Sequence, residues 1–141
     1  VSPAPAYGLM QLVPSSGGRD AYKRAKGSNE MPSKQYLFNA ENNIELGTAY
    51  LNVLAFDELD EVADPVSREY CVISAYNTGP SNVLRTFSGS AKQRDAAIAA
   101  INRMAAPAVY DKLRSQLPYA ETRQYLQKVV AFRKQFIALA N

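Results

Sequence analysis

The chain has no histidine, no tryptophan and a single cysteine among its 141 residues. Without histidine, neither a Ser-His-Asp triad nor a Cys-His pair can be assembled. Cys71 alone forms no internal disulfide and has no Cys or His partner for zinc, so neither a metal nor a cofactor is expected. Its neighbours Tyr70, Val72 and Ile73 are apolar, which reads Cys71 as a small buried hydrophobe. A phosphate-cradling loop is missing as well: Ser16-Gly17-Gly18-Arg19 is too short, and Pro80 after Gly79 removes an amide donor. No apolar run approaches the roughly 18 residues of a membrane span. Val1-Ser2-Pro3-Ala4-Pro5 has no charged or apolar leader region and no initiator methionine, so the chain reads as a fragment or a processed product.

What is present is 47% hydrophobic, enough for one globular domain over residues 1–141 with a single core. The net charge of +3 comes from scattered basic residues. The richest run, Arg19 to Lys26, reads as a solvated helix face, and no nucleic-acid partner is expected. A mildly basic surface would also suit an anionic polymer.

The punctuation is helical. Asp64 before Pro65 is an N-cap followed by proline at the first helical position, and Val66 to Tyr76 sets Tyr70, Ile73 and Asn77 along one face. Gly79-Pro80 reopens a helix after a two-residue break, Ser90 caps a helix from Ala91 to Met104, and Pro107 starts another from Ala108 to Leu117. Glu41 to Phe56 carries Ile44, Gly47, Leu51 and Leu54 at spacings of three and four. Glu121 to Ala140 carries Tyr125, Val129, Phe132 and Phe136 on one stripe, which predicts a core-facing helix. An early helix ends in a loop marked by Gly27-Ser28-Asn29 and Met31-Pro32-Ser33. With no period-two strand and no hairpin dipeptide, the pattern predicts an all-α chain of about seven short helices.

Catalytic chemistry then falls to carboxylates. Glu41 and Glu45, at i and i+4, could face solvent together, and Glu121 opens a helix, where the dipole favours a negative charge. Nine tyrosines offer apolar bodies with polar tips, which suits both half-buried positions and carbohydrate contacts; composition does not separate the two.

Four strings narrow the choice. Ser2-Pro3-Ala4-Pro5-Ala6-Tyr7-Gly8-Leu9-Met10-Gln11-Leu12-Val13-Pro14 resembles the first signature of the soluble lytic transglycosylase domain. Asn43-Ile44-Glu45-Leu46-Gly47-Thr48-Ala49-Tyr50-Leu51 resembles the second, Ala75-Tyr76-Asn77-Thr78-Gly79 the third, and Pro118-Tyr119-Ala120-Glu121-Thr122-Arg123-Gln124-Tyr125-Leu126 the last. Their order and spacing fit from Ser2 to about Phe136. Pro65 to Phe87, with Leu37-Phe38, is most similar to one membrane-bound branch of the family.

The resemblance implies a goose-lysozyme-like helical domain with a glycan-binding cleft. Its implied partner is the peptidoglycan glycan strand, and its implied setting is the periplasm, with a lipid anchor on the outer membrane open for the parent. In this family one glutamate protonates the glycosidic oxygen and then takes the proton of the 6-hydroxyl of N-acetylmuramic acid, leaving a 1,6-anhydro sugar. That glutamate is expected about eight residues before Val1, its carboxyl kept protonated by an apolar site. No catalytic residue is therefore assigned within the chain, which is expected to be inactive by itself.

The resemblance carries substrate contacts over to Ser2, to Gln11 with Gly8 and Met10 shaping the wall beside it, to Tyr76 and Asn77, and to Glu121 and Tyr125. Val13, where some relatives have methionine, and Thr78-Gly79-Pro80 depart from the family pattern and bear on fine subsite preference. Two rival readings are a goose-type lysozyme hydrolysing the same bond and a non-catalytic peptidoglycan-binding module. The Ala-Tyr-Asn-Thr-Gly string favours the transglycosylase.

Overall fold

Three helices begin where a side chain accepts the free amides of a first turn. A computed structural model describes residues 5–89 and 93–140. They contain eight α-helices and one π-helical turn, and among them no strand forms, only an isolated bridge between Tyr7 and Leu12. They divide into two compact units, Val1–Asp57 and Glu58–Asn141.

The first unit holds α1 (Gly17–Lys26), α2 (Lys34–Phe38) and α3 (Ala40–Val53), and the π turn Leu54–Glu58 follows at its end. Ser33 caps α2 by accepting from Tyr36 N–H (3.0 Å), and Asn39 caps α3 by accepting from Asn42 N–H (3.0 Å). The five-residue α2 falls where the sequence reads as loop up to Tyr36; its cap, not its periodicity, makes it a helix. The α1 helix packs on α3, with Gly17 against the Tyr50 ring, while its basic residues Arg19, Lys23, Arg24 and Lys26 stay exposed. Arg24 bonds Asn52 (2.8 Å) and pairs with Asp57 of the π turn.

On α3 the inward stripe is Asn43, Leu46, Gly47, Tyr50 and Val53, followed by Leu54. The expected face of Ile44, Gly47, Leu51 and Leu54 is therefore off by about one position: Ile44 and Leu51 are exposed. A polar residue, Asn43, sits in the core, and a pattern search for apolar residues steps past it.

The second unit is built around α4 (Pro65–Thr78), which packs against α5 (Pro80–Ser88), α7 (Ala106–Gln116) and α8 (Ala120–Ala140), while α6 (Arg94–Asn102) lies on α5. Asp64 accepts from Val66 N–H (2.8 Å) and Ser67 N–H (2.9 Å), with Pro65 in the first turn, as the sequence predicts. Only Gly79 separates α4 from α5, because Pro80 already belongs to α5. The Ser90 cap and the start at Ala91 lie outside the described residues; the described helix begins at Arg94 and ends at Asn102, short of Met104. Asn102 ties α6 to the segment before α4 through Ala63 N–H (2.9 Å) and Glu61 O (3.0 Å). The buried residues of α4 are Ser67, Cys71, Val72, Ser74 and Ala75, while Tyr70 and Ile73 are half-buried and Asn77 is exposed. Cys71 is fully buried, and that burial pushes its thiol up to about 12.

The last helix overturns its expectation. α8 runs antiparallel to α4: Thr122 bonds Asn77 near one end, and Arg133 pairs with Glu69 near the other. Thr122 and Leu126 are buried, Tyr125 and Val129 are half-buried, but Phe132 and Phe136 are 66% and 73% exposed. Instead of filling a core, Phe132 and Phe136 form an open apolar surface patch with Val129 and Leu139.

Candidate functional site

The first group of expected site residues stands on a tight loop. Tyr7 N–H donates to Leu12 O (2.9 Å), Leu12 N–H donates back to Tyr7 O (3.1 Å), and Gln11 N–H closes the inner turn on Gly8 O (3.2 Å). Asn43, fully buried on α3, grips this loop from below. Its Oδ1 accepts from Met10 N–H (2.6 Å), and its Nδ2 donates to Tyr7 O (2.9 Å) and Leu37 O (2.8 Å). One amide thus satisfies three backbone groups, close to the limit of its capacity.

That grip dictates the residues around it. Gly8 has φ +78°, and a Cβ there would lie 2.1 Å from Asn43 Nδ2 and 2.6 Å from Leu37 O. Only glycine fits both the backbone and the space. Met10 lies across Gly47, where a Cβ would come within 2.6 Å of Met10 Cγ, so the small residue on α3 lets the loop sit close. Gln11 is the non-glycine residue with positive φ (51°) among the described residues, a conformation worth about 1 kcal/mol or more of strain. Its Nε2 donates to Gly8 O (2.8 Å), which helps hold the strained turn. Its Oε1, on an exposed side chain, has no hydrogen-bond partner among the described residues.

The second group stands on α4 and the first turns of α8. Asn77 is exposed near the end of α4, and its Oδ1 accepts from the hydroxyl of Thr122 (2.8 Å), a residue only 1% exposed. Glu121 is exposed in the first turn of α8, where the helix dipole favours its carboxylate. One turn further, Tyr125 is half-buried, and burial pushes its hydroxyl above the ordinary tyrosine value, so it stays a protonated donor at neutral pH. Tyr76 is half-buried beside Asn77 on α4.

Gly8, Met10 and Gln11 are thus brought together on one loop, and Asn77 is bonded to the helical turn that carries Glu121. Ser2 lies outside the described residues. Glu41 and Glu45 are both exposed, and Glu45 is paired with Lys26 of α1 (2.8 Å), whose ammonium it holds above the usual lysine value by hydrogen bond and charge. Two working residues escaped the sequence reading, Asn43 and Thr122. Both stand inside the quoted strings. Asn43 was detectable as the polar member of an otherwise apolar stripe with Leu46, Tyr50 and Val53 at helical spacing.

Residues 1–99 match the family described as the transglycosylase SLT domain. The chain belongs to the transglycosylase SLT domain family. Its all-α architecture is that of this lysozyme-like domain. The SLT chain is 46% identical over 134 residues to the membrane-bound lytic murein transglycosylase C of Photorhabdus laumondii, covering 95% of the chain and 36% of that protein. The protein of the same name from Sodalis glossinidius is 47% identical over 136 residues, 96% of the chain and 37% of the relative. That of Histophilus somni is 44% identical over 141 residues, 100% of the chain and 38% of the relative. The branch that Pro65 to Phe87 and Leu37-Phe38 resemble is this one. The SLT chain spans a little over a third of the length of these relatives.

Proposed function

We propose that residues 1–141, both units together, act within the catalytic domain of a lytic transglycosylase. Such an enzyme cleaves the MurNAc–GlcNAc β-1,4 bond of peptidoglycan and leaves a 1,6-anhydroMurNAc end, in remodelling and turnover of the cell wall. The observation that carries the reading is the family match over residues 1–99, joined to relatives 44–47% identical along nearly the whole chain and named lytic murein transglycosylases. The words membrane-bound in their names support a periplasmic parent protein held at the outer membrane.

In this reading the glycan strand meets Gln11, whose Oε1 accepts a sugar hydroxyl, with Gly8 and Met10 forming the wall beside it. Ser2 also belongs to this group. Tyr76, Asn77, Glu121 and Tyr125 orient the sugar from α4 and α8: Tyr125 donates, Glu121 accepts. No carboxylate within residues 1–141 is assigned as the general acid, and Glu121 is a binding group. An apolar-site glutamate elsewhere in the parent protein supplies that proton, and the sugar's own 6-hydroxyl serves as nucleophile.

The test is product analysis. The full-length protein is incubated with purified peptidoglycan, and the soluble muropeptides are read by mass spectrometry. Anhydro ends are expected. Reducing ends in their place would make the protein a hydrolase, and sedimentation with peptidoglycan without any cleavage would make it a binding module.

A further inference from the structure

We infer that Thr122 is a positioning residue for Asn77: its buried hydroxyl holds the Asn77 carboxamide with the NH₂ group outward, so that this position takes an acceptor oxygen of the sugar. The inference rests on the proposed glycan-binding reading and adds the polarity of one contact to it.

The geometry is specific. An asparagine on a helix surface can turn its terminal amide over and offer either a donor or an acceptor. Here that freedom is removed from below. Thr122 is 1% exposed, and its Oγ1 lies 2.8 Å from Asn77 Oδ1. A buried hydroxyl needs an acceptor for its proton, and here it donates to Oδ1. With the acceptor end engaged, the remaining polar group of Asn77 is Nδ2, which has no hydrogen-bond partner among the described residues. The register that sets Thr122 opposite Asn77 is held at the far end of the same helix pair by Arg133 and Glu69. Adjacent in sequence, Glu121 presents only acceptors. The end of α4 thus offers an oriented donor, and the first turn of α8 an exposed acceptor, a pairing that suits a group with both a carbonyl oxygen and an N–H.

The experiment uses the full-length protein with soluble, uncross-linked glycan strands, reading kcat/KM and the melting temperature of each variant. Thr122→Val keeps the shape and removes the hydroxyl; kcat/KM is expected to fall about tenfold, as for loss of one oriented hydrogen bond, with the melting temperature nearly unchanged. Thr122→Ser should restore it to within about twofold, and Thr122→Val should have no further effect in an Asn77→Ala background. Asn77→Asp keeps the acceptor for Thr122 and loses the outward donor, so it should fall as far as Asn77→Ala. This variant decides the matter even where a Thr122 variant folds poorly. A Thr122→Val loss that persists without Asn77 would overturn the inference, as would wild-type kcat/KM in Thr122→Val or Asn77→Asp. Should Asn77→Ala itself keep full kcat/KM, the glycan-contact reading of Asn77 has failed, and the inference falls with it.

Discussion

The two groups of candidate site residues are held in opposite ways. The loop of Gly8, Met10 and Gln11 is held through its backbone: one buried amide, Asn43, takes up three main-chain groups, and a glycine leaves room for it. In the α4–α8 group it is a side chain that is held: Asn77 takes the Thr122 hydroxyl across two helices that pack on each other. The difference teaches where damage goes. Disturbing the first group deforms the chain, because unpaired buried backbone groups cost about 1–3 kcal/mol each. Disturbing the second frees one surface side chain and leaves the fold standing.

The largest expected effect tests the first half of that contrast. Gly8→Ala adds a Cβ 2.1 Å from Asn43 Nδ2 at a backbone angle of φ +78°, so both the loop conformation and the Asn43 bonds must give. A loss of about 3 kcal/mol or more is expected in urea unfolding of the chain, from left-handed strain together with broken buried hydrogen bonds. A change under about 1 kcal/mol would mean that the loop is not seated on Asn43 in solution. Asn43→Ala follows, at about 2–3 kcal/mol, since it leaves Met10 N–H and Leu37 O to find water, while Tyr7 O keeps only Leu12 N–H. Amide hydrogen exchange at Met10 should rise in step with the loss. Unchanged protection there would remove Asn43 from its role as the clamp.

How much of this was legible follows the same division. Local signals read correctly: Asp64 and Pro65 announce α4, because a cap and a fixed φ act within one turn. The all-α class and the strings that carry the site also follow from the residues themselves. What escaped depended on distant neighbours. Asn43 is buried because a loop some thirty-odd positions earlier in the chain needs its amide, so the apolar pattern on α3 read one position out of register. Thr122, a member of the last quoted string, gains its role only from α4 standing opposite it.

A smaller effect separates the α4–α8 group from the loop by pH. Burial raises the Tyr125 hydroxyl above its ordinary value of 10.0, so the folded chain holds this proton more tightly than the unfolded chain does. Its contribution to stability is complete below the unfolded value and drains away as pH rises through the folded one. Tyr125→Phe should therefore leave stability at pH 7 within about 0.5 kcal/mol of the parent chain and lose less on going above pH ~10. Parallel decline of the two proteins above that pH would show that Tyr125 is solvated, and so no buried donor.

The smallest effect is expected at the far end of α8, where the contrast becomes one between two stretches of a single helix. Leu126 is fully buried against its neighbours, and truncating it to alanine should cost about 3 kcal/mol. Phe136, nearly three turns on, is 73% exposed. An aromatic ring that gains little burial on folding contributes little, so Phe136→Ser should change stability by less than about 0.5 kcal/mol. It should weaken binding of a hydrophobic dye, since Phe132, Phe136, Val129 and Leu139 form an open apolar patch on that face. The two readings together are diagnostic. Dye binding that falls while the melting temperature holds means the ring stands in water on an uncovered face. A melting temperature that drops as far as for Leu126→Ala means the ring is packed in solution, and the stripe of Tyr125, Val129, Phe132 and Phe136 is a core seam after all.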